Sequence, residues 1–136
     1  MSTQIIQPDG WKKPRGYSNG IIAQGRVLAI GGQIGWNQDE VFEHHDFVGQ
    51  FGQTLANIRA IIDAAGGRPE DIIRMTIYVT DLDAYRNSLA QLGPLWKEHI
   101  GRWYPAMALV GVTGLVEPEA LVEIETLVVL PEEASP

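Results

Sequence analysis

The C-terminal part of the chain, residues 104–130, carries the pattern that most constrains the fold. It contains two apolar runs of strand length, separated by a segment that includes Pro118. In the second run, Glu123 and Glu125 alternate with branched apolar residues, and this alternation predicts a strand with one buried face. A carboxylate in so apolar a strand must be solvated, paired or functional, because burying it alone is costly.

The periodicity of apolar residues in the rest of the chain predicts an α+β domain. The predicted elements are a hairpin over residues 19–34, a helix over 46–65, a strand over 73–79, a helical region from Thr80 or Asp81 to about Ile100, and strands over about 106–112 and 121–130. Pro94 lacks a backbone N–H and should break or kink the second helical region, so we expect a short first piece and a second piece from Pro94 to His99. The order ββαβαββ favours one mixed sheet with both helices on one face, and its other, apolar face suggests an oligomer.

The length of 136 residues indicates a single domain, residues 1–136, with polar, proline-containing tails over about 1–14 and 131–136. No run of about 18 apolar residues is present, so we expect no membrane span. The N-terminus also lacks the continuous apolar core of a signal peptide. The chain contains no Cys, which excludes disulfides and thiolate metal sites and fits a cytoplasmic protein.

The charge balance and the histidines narrow the possible partners. The formal net charge is −7 and the ten Lys and Arg residues are scattered, so we expect no nucleic-acid partner. His44 and His45 are adjacent, which does not match the i, i+4 spacing of helical zinc ligands, and His99 is the only other histidine. We therefore expect no metal site.

Short motifs occur in a fixed order along nearly the whole chain. They are Gly16-Tyr17-Ser18-Asn19, Gly31-Gly32-Gln33-Ile34, the helix segment Gln53 to Ile58, Ala64-Ala65-Gly66, Tyr78-Val79-Thr80-Asp81-Leu82, Tyr104-Pro105-Ala106 and Val122-Glu123-Ile124-Glu125. In this order and spacing the chain resembles the reactive intermediate deaminase family, also called Rid or YjgF. The resemblance implies a chorismate-mutase-like fold and a homotrimer with three clefts between subunits, each binding a small-molecule metabolite.

The same resemblance implies a chemistry for the cleft. The deaminase branch of the family hydrolyses enamines and imines, such as 2-aminoacrylate, without a metal or cofactor. Its water-positioning glutamate matches Glu123, its site-lining tyrosine matches Tyr17, and its backbone donor after the first strands matches Gly32. Glu123 and Tyr17 are therefore the candidate catalytic residues. The alternatives are a structural carboxylate at the trimer interface for Glu123 and a core aromatic residue for Tyr17.

Three positions of the substrate site depart from the deaminase pattern. A serine of the family is Gly31 here, an asparagine is Leu89, and the carboxylate-binding arginine after Pro-Ala is Met107. A thioether has neither a charge nor a donor for a carboxylate, so the resemblance is to an arginine-less subgroup with a divergent substrate site. The substitutions suit a less polar ligand, and Arg15 or Arg102 could replace the missing guanidinium from another backbone position.

Three functions follow from these residues. The first is a cofactor-independent hydrolytic deaminase of small enamine or imine metabolites. The second is a non-catalytic metabolite-binding or regulatory trimer, which the apolar residues Met107 and Leu89 favour. The third is an endoribonuclease or translation inhibitor, names that some relatives carry, and the acidic charge balance disfavours it.

Overall fold

The computed structural model describes residues 3–132, so the last four residues of the predicted C-terminal tail lie outside the described residues. The elements in chain order are β1 Thr3–Ile6, β2 Gly20–Ala23, β3 Arg26–Ile34, α1 Phe47–Ala64, β4 Ile72–Val79, α2 Leu82–Arg86, α3 Leu89–His99, β5 Ala106–Gly111 and β6 Val122–Leu130. A short 3-10 turn, Pro69–Asp71, precedes β4.

The main sheet has four strands in the order β3-β6-β4-β5. β6 is antiparallel to both β3 and β4, whereas β4 and β5 are parallel. Parallel strands need a long crossover connection, and α2 and α3 supply it. The predicted α+β class, with helices packed on a mixed sheet, is confirmed.

Helix α1 forms where the sequence predicts it, because both of its ends are specified locally. The side chain of Asp46 caps the N-terminus by accepting a hydrogen bond from the Gly49 N–H at 3.3 Å. At the C-terminus, Gly66 has a φ of +77° and the Gly67 N–H donates to the carbonyl of Ile62 at 3.0 Å. Between these caps an apolar stripe packs into the core: Phe47, Phe51, Leu55, Ile58 and Ile62. Each such side chain contributes roughly 1.5–3 kcal/mol on burial.

The predicted hairpin over residues 19–34 is wrong. β2 pairs with β1 in a separate two-stranded sheet, and β3 pairs with β6. Gly25 does not close a tight turn between β2 and β3; it lies so close to β6 that a Cβ there would clash with the carbonyl oxygen of Leu130. Strand β1 was not predicted, because Thr3–Ile6 lies in the segment expected to be a polar tail.

The predicted helix break at Pro94 is also wrong, because α3 runs through this residue from Leu89 to His99. The break lies earlier, where the N–H of Asn87 still bonds to Asp83 but Ser88 starts a new helix by accepting from Leu92. Pro94 is exposed, and so is Ala90, whose carbonyl lies four residues earlier in α3. Water can therefore bond the carbonyl that the missing proline N–H leaves without a helical partner.

The core lies between the helices and one face of the main sheet. Val122 and Ile124 of β6 are fully buried there, whereas Glu125 is exposed, so the predicted alternation in β6 is confirmed. Among residues 3–132, no helix combines the length and the apolar composition that a membrane crossing requires. The sheet has a helix-covered face and an opposite face, and the two faces carry different parts of the candidate site.

Candidate functional site

The first part of the candidate site is a cavity of about 550 Å³ between α3 and the edge of the main sheet, which we call the α3 cavity. Four of the residues predicted from the sequence line it: Arg15, Tyr17, Leu89 and Met107. They come from three distant segments of the chain. The structure therefore brings together the tyrosine, the two apolar replacements and one of the two candidate arginines.

Ser18 positions the N-terminal segment beside this cavity. Its N–H donates to the carbonyl of Pro105 at 3.0 Å, and its hydroxyl donates to the carbonyl of Tyr104 at 2.6 Å. A parallel bridge to Ala106 continues the contact along the edge of β5. Arg15 and Tyr17, which precede Ser18, are thereby held next to the strand that carries Met107.

Register places Met107 on the helix side of the sheet. It lies beside Met75 of β4, whose side chain is fully buried in the core, and registered residues of neighbouring strands point to the same face. Leu89 is the first residue of α3 and stays 55% exposed at the cavity mouth. Tyr104 stacks on Trp96 with the ring centroids 6.2 Å apart and the planes 6° from parallel. Aromatic and apolar side chains therefore form most of the wall.

Within residues 3–132, Arg15 is the only charged residue among those that line the α3 cavity. Tyr17, Tyr85 and Tyr104 bring hydroxyls to the lining, and the indole N–H of the lining residue Trp96 already donates to the carbonyl of Trp103 at 3.0 Å. Arg102 lies instead in an adjoining groove, and it shares that groove with Trp103 and Lys13 among others. A mostly apolar ligand with one anionic group would suit the cavity.

The second part of the candidate site is a carboxylate cluster, formed by Gly32, Tyr78, Glu123 and Glu125. Glu123 lies beside Tyr78 in the register of β4 and β6, and the Tyr78 hydroxyl donates to Oε1 of Glu125 at 2.6 Å. This hydrogen bond is the main reason that the pKa of Tyr78 is raised. Burial and the negative charges of Glu125 and Glu123 raise the pKa further, while Arg74 opposes them.

A β-bulge in β3 places Gly32 in close contact with the side chain of Glu123. The register of β3 against β6 shifts between Ile30 and Gln33, so β3 carries one extra residue there. A Cβ at position 32 would meet the Glu123 carboxylate, with Cδ at 2.8 Å and Cγ at 3.0 Å. At Gly31, by contrast, a Cβ would meet no heavy atom within 4 Å. Only the second glycine of the pair is required for the close approach of the carboxylate.

The α3 cavity and the carboxylate cluster lie on opposite faces of the same sheet. Met107 points with Met75 toward the helices, whereas Glu123 neighbours the buried Ile124 in β6 and points with Tyr78 to the other side. A single chain therefore does not bring the two parts to one ligand. Arg15, Tyr17, Leu89 and Met107 form one group, and Gly32 and Glu123 form the other.

Some residues of both parts were not identified from the sequence. Leu92 and Trp96 of α3 line the cavity. They follow Leu89 at successive spacings of three and four residues, and this helical spacing could have placed them on the same face as Leu89. The pair of Tyr78 and Glu125 depends on strand register, which periodicity alone does not give. Among residues 3–132 there is no group of three or more side chains suited to holding a metal ion.

Comparisons with known proteins show what the chain is similar to. The family model described as endoribonuclease L-PSP matches residues 11–130, a range that includes both parts of the candidate site. A RutC family protein of Pyrococcus horikoshii is 32% identical over 126 residues, which cover 91% of this chain and 95% of that protein. A RutC family protein of Haemophilus influenzae is 32% identical over 129 residues, which cover 95% and 98% of the two chains.

Solved structures show the same similarity. YyfB of Yersinia pestis, a protein of the conserved Rid family, has a TM-score of 0.84 and 30% identity, with 96% of this chain and 100% of that chain covered. The YjgF gene product of E. coli has a TM-score of 0.68 and 31% identity, with 83% and 87% covered. The similarity therefore includes the sheet, the helices and the strand that carries Glu123.

Proposed function

Because the chain belongs to the Rid/YjgF family, we propose that it hydrolyses imines or enamines formed from amino acids, in clefts between the subunits of a homotrimer. The observation that carries the proposal is the Glu123 carboxylate, which a β-bulge holds against Gly32. This is the position that the family resemblance gives to the water-positioning group. No metal or cofactor takes part in the proposed reaction.

In the proposed reaction Glu123 acts as a general base toward water. It accepts a proton from a water molecule while the water oxygen attacks the carbon of the C=N bond, whose nitrogen gains a proton. The resulting carbinolamine then loses ammonia as its C–N bond breaks and its hydroxyl becomes a carbonyl. One imine and one water thus give one 2-keto acid and one ammonia, and general-base assistance of this kind is worth about 10²- to 10⁴-fold in rate.

The opposite positions of the two parts support a cleft between subunits. The carboxylate cluster of one copy would face the α3 cavity of the next copy, since the sheet separates the two parts within one chain. Such a contact joins two different surfaces and can repeat around a ring. Three copies would then form three equivalent clefts, as the family resemblance implies.

The lining of the α3 cavity indicates which substrates are favoured. Met107 and Leu89 replace polar groups of the deaminases, and a cavity of about 550 Å³ is large for the three-carbon 2-aminoacrylate. We expect faster hydrolysis of imines with branched or aromatic side chains than of 2-aminoacrylate. Binding an apolar side chain in this cavity would orient the C=N carbon toward Glu123.

The proposal is tested by making the imine in the assay. An amino-acid oxidase converts leucine to its 2-imino acid, and semicarbazide traps what has not been hydrolysed. The wild-type protein should lower the trapped fraction, and Glu123→Gln should slow hydrolysis about 100-fold or more while keeping the fold. If Glu123→Gln is as fast as the wild type, Glu123 is not the general base.

The second candidate function is metabolite binding without catalysis, which the apolar lining of the cavity favours. It predicts a ligand that binds and is recovered unchanged, with no effect of the wild-type protein on the trapped imine. The name of the matching family also points to RNA cleavage. With a net charge of −7, the chain would repel nucleic-acid phosphates, so RNA cleavage is the least favoured function.

A further inference from the structure

We infer that Arg15 binds the substrate carboxylate in place of the arginine that Met107 replaces, so that the cavity accepts 2-imino acids with large apolar side chains. This inference rests on the proposed function, which supplies the carboxylate and the C=N group. It assigns a different backbone position to the cation: the N-terminal segment rather than β5. The substrate carboxylate would then lie at Arg15, and the substrate side chain would lie beside Met107.

The first argument is the location of Arg15. It lines the same cavity as Met107, and two hydrogen bonds of Ser18 hold its segment against the residues before β5. Gly16, between Arg15 and Tyr17, has a φ of +75°, a left-handed conformation that turns the chain at this point. These features hold the backbone of residue 15 beside the cavity, and the exposed Arg15 side chain is one of the groups that line it.

The second argument is the charge of the cavity. Arg15 supplies the only formal charge on a wall that is otherwise apolar or phenolic. Within residues 3–132, Arg15 makes no hydrogen bond or ion pair, so its guanidinium has donors for a ligand. A planar guanidinium binds a carboxylate through two parallel hydrogen bonds, which a lysine cannot match.

The third argument is the space that this arrangement leaves. If the carboxylate lies at Arg15, the volume beside Met107 and Leu89 is available to the substrate side chain. Trp96, Leu92 and Phe51 continue that volume with apolar surface. A methionine adapts its shape to irregular apolar groups, so its presence on β5 fits a branched or aromatic side chain.

The rival cation is Arg102, and the structure separates the two. Arg102 lines the adjoining groove, which does not include Met107 or Leu89 among its lining residues. Tyr17 and Tyr104 contribute to both cavities and lie between them. Arg15 therefore lines the same cavity as the volume proposed for the substrate side chain, and Arg102 does not.

Calorimetry with a keto acid tests the inference without requiring turnover. The probe is 4-methyl-2-oxopentanoate, the expected product from the leucine imine, and its methyl ester is the uncharged comparison. The wild-type protein should bind the acid at least tenfold more tightly than the ester. Arg15→Met should remove this preference, whereas Arg86→Met, which removes an exposed guanidinium on α2, should preserve it.

A relocated cation gives the complementary test. The double variant Arg15→Met/Met107→Arg should recover carboxylate binding and should now favour pyruvate, because the arginine side chain fills the volume beside β5. Circular dichroism confirms that each variant is folded. Unchanged binding of the acid by Arg15→Met, loss of binding in Arg102→Met alone, or no binding by the wild type would each overturn the inference. Binding with Arg15 dependence but no imine hydrolysis would overturn only the proposed function.

Discussion

At the scale of single residues, the contact between Gly32 and Glu123 makes a specific prediction. A methyl group at position 32 would meet the carboxylate, so Glu123 has to move. We expect Gly32→Ala to slow imine hydrolysis by roughly 10- to 100-fold, because a displacement of about 1 Å is enough for such a loss. Hydrolysis rates of the folded variant check this.

The neighbouring glycine provides the matched comparison. A methyl group at Gly31 meets no heavy atom within 4 Å, so Gly31→Ala leaves the Glu123 carboxylate in place. It should lower the rate far less than Gly32→Ala. Equal losses in the two variants would mean that strand flexibility at the bulge, rather than the position of Glu123, controls the reaction.

Tyr78 gives a prediction about pH. Its pKa is raised chiefly because its hydroxyl donates to Glu125, so the folded protein holds the phenol proton more tightly than the unfolded chain. The stabilisation is fully present below the unfolded pKa near 10 and is lost as pH rises through the folded pKa. The stability difference between the wild type and Tyr78→Phe should therefore shrink at alkaline pH.

Phenolate absorbance measures the same effect directly. The titration of Tyr78, identified as the component that Tyr78→Phe removes, should lie above the ordinary tyrosine range. Glu125→Gln should shift it down, since the negatively charged carboxylate that accepts the hydrogen bond of the Tyr78 hydroxyl is then gone. A Tyr78 titration that Glu125→Gln leaves where it was would contradict the assigned cause.

At the scale of elements, hydrogen bonds of the Gln50 side chain connect α1 to the loop before β6. Its side chain is fully buried, and its Nε2 donates to the carbonyls of His44 at 3.1 Å and Glu119 at 2.9 Å. Its Oε1 accepts from the Leu121 N–H at 2.8 Å, just before the strand that carries Glu123. These bonds fix where β6 begins.

Replacing Gln50 should therefore destabilise the fold. Gln50→Leu leaves three backbone groups without their partner, and we expect a loss of about 2–4 kcal/mol in the free energy of unfolding. Urea denaturation measures it. The control is Gln53→Leu, which removes one hydrogen bond to Asn57 and should cost about 1 kcal/mol or less. Similar losses in the free energy of unfolding for both variants would show that the three hydrogen bonds of Gln50 do not stabilise the fold more than the single bond of Gln53.

Elements whose signals are local were predicted well from the sequence. Asp46 caps the start of α1 and two glycines follow its end, so both signals lie next to the helix. The alternation in β6 lies within one strand. The predicted hairpin of β2 and β3 is wrong because β2 pairs with β1 instead. The break at Pro94 failed because solvent exposure of that helical turn depends on tertiary packing.

At the scale of the whole molecule, the candidate site was predicted as a set of residues but not as two parts. The family resemblance identifies Glu123, Tyr17, Leu89 and Met107 as site residues. Proximity in the sequence offers Arg15 and Arg102 equally as the substitute cation. Which face of the sheet each side chain occupies depends on the pairing of β6 with β4 and of β4 with β5. The sequence contains no direct record of these pairings.

We propose that each active cleft of the trimer combines the α3 cavity of one subunit with Glu123 of another. Leu89→Glu should inactivate the cavity part, because it repels a carboxylate substrate while a negative charge at the first turn of α3 leaves the helix stable. Glu123→Gln should inactivate the other part. Neither variant should hydrolyse the leucine imine at more than a small fraction of the wild-type rate.

Co-expressing the two variants in equal amounts tests the claim most directly. Random assembly gives trimers whose sedimentation mass should be three times that of the 15.0 kDa chain, and about one cleft in four of the whole mixture combines two intact parts. We predict that the co-expressed mixture recovers about a quarter of the wild-type rate of imine hydrolysis, because about one cleft in three is intact in each hybrid trimer and none is intact in the homotrimers. Hybrid trimers that stay as inactive as the two separate variants would contradict a cleft shared between subunits.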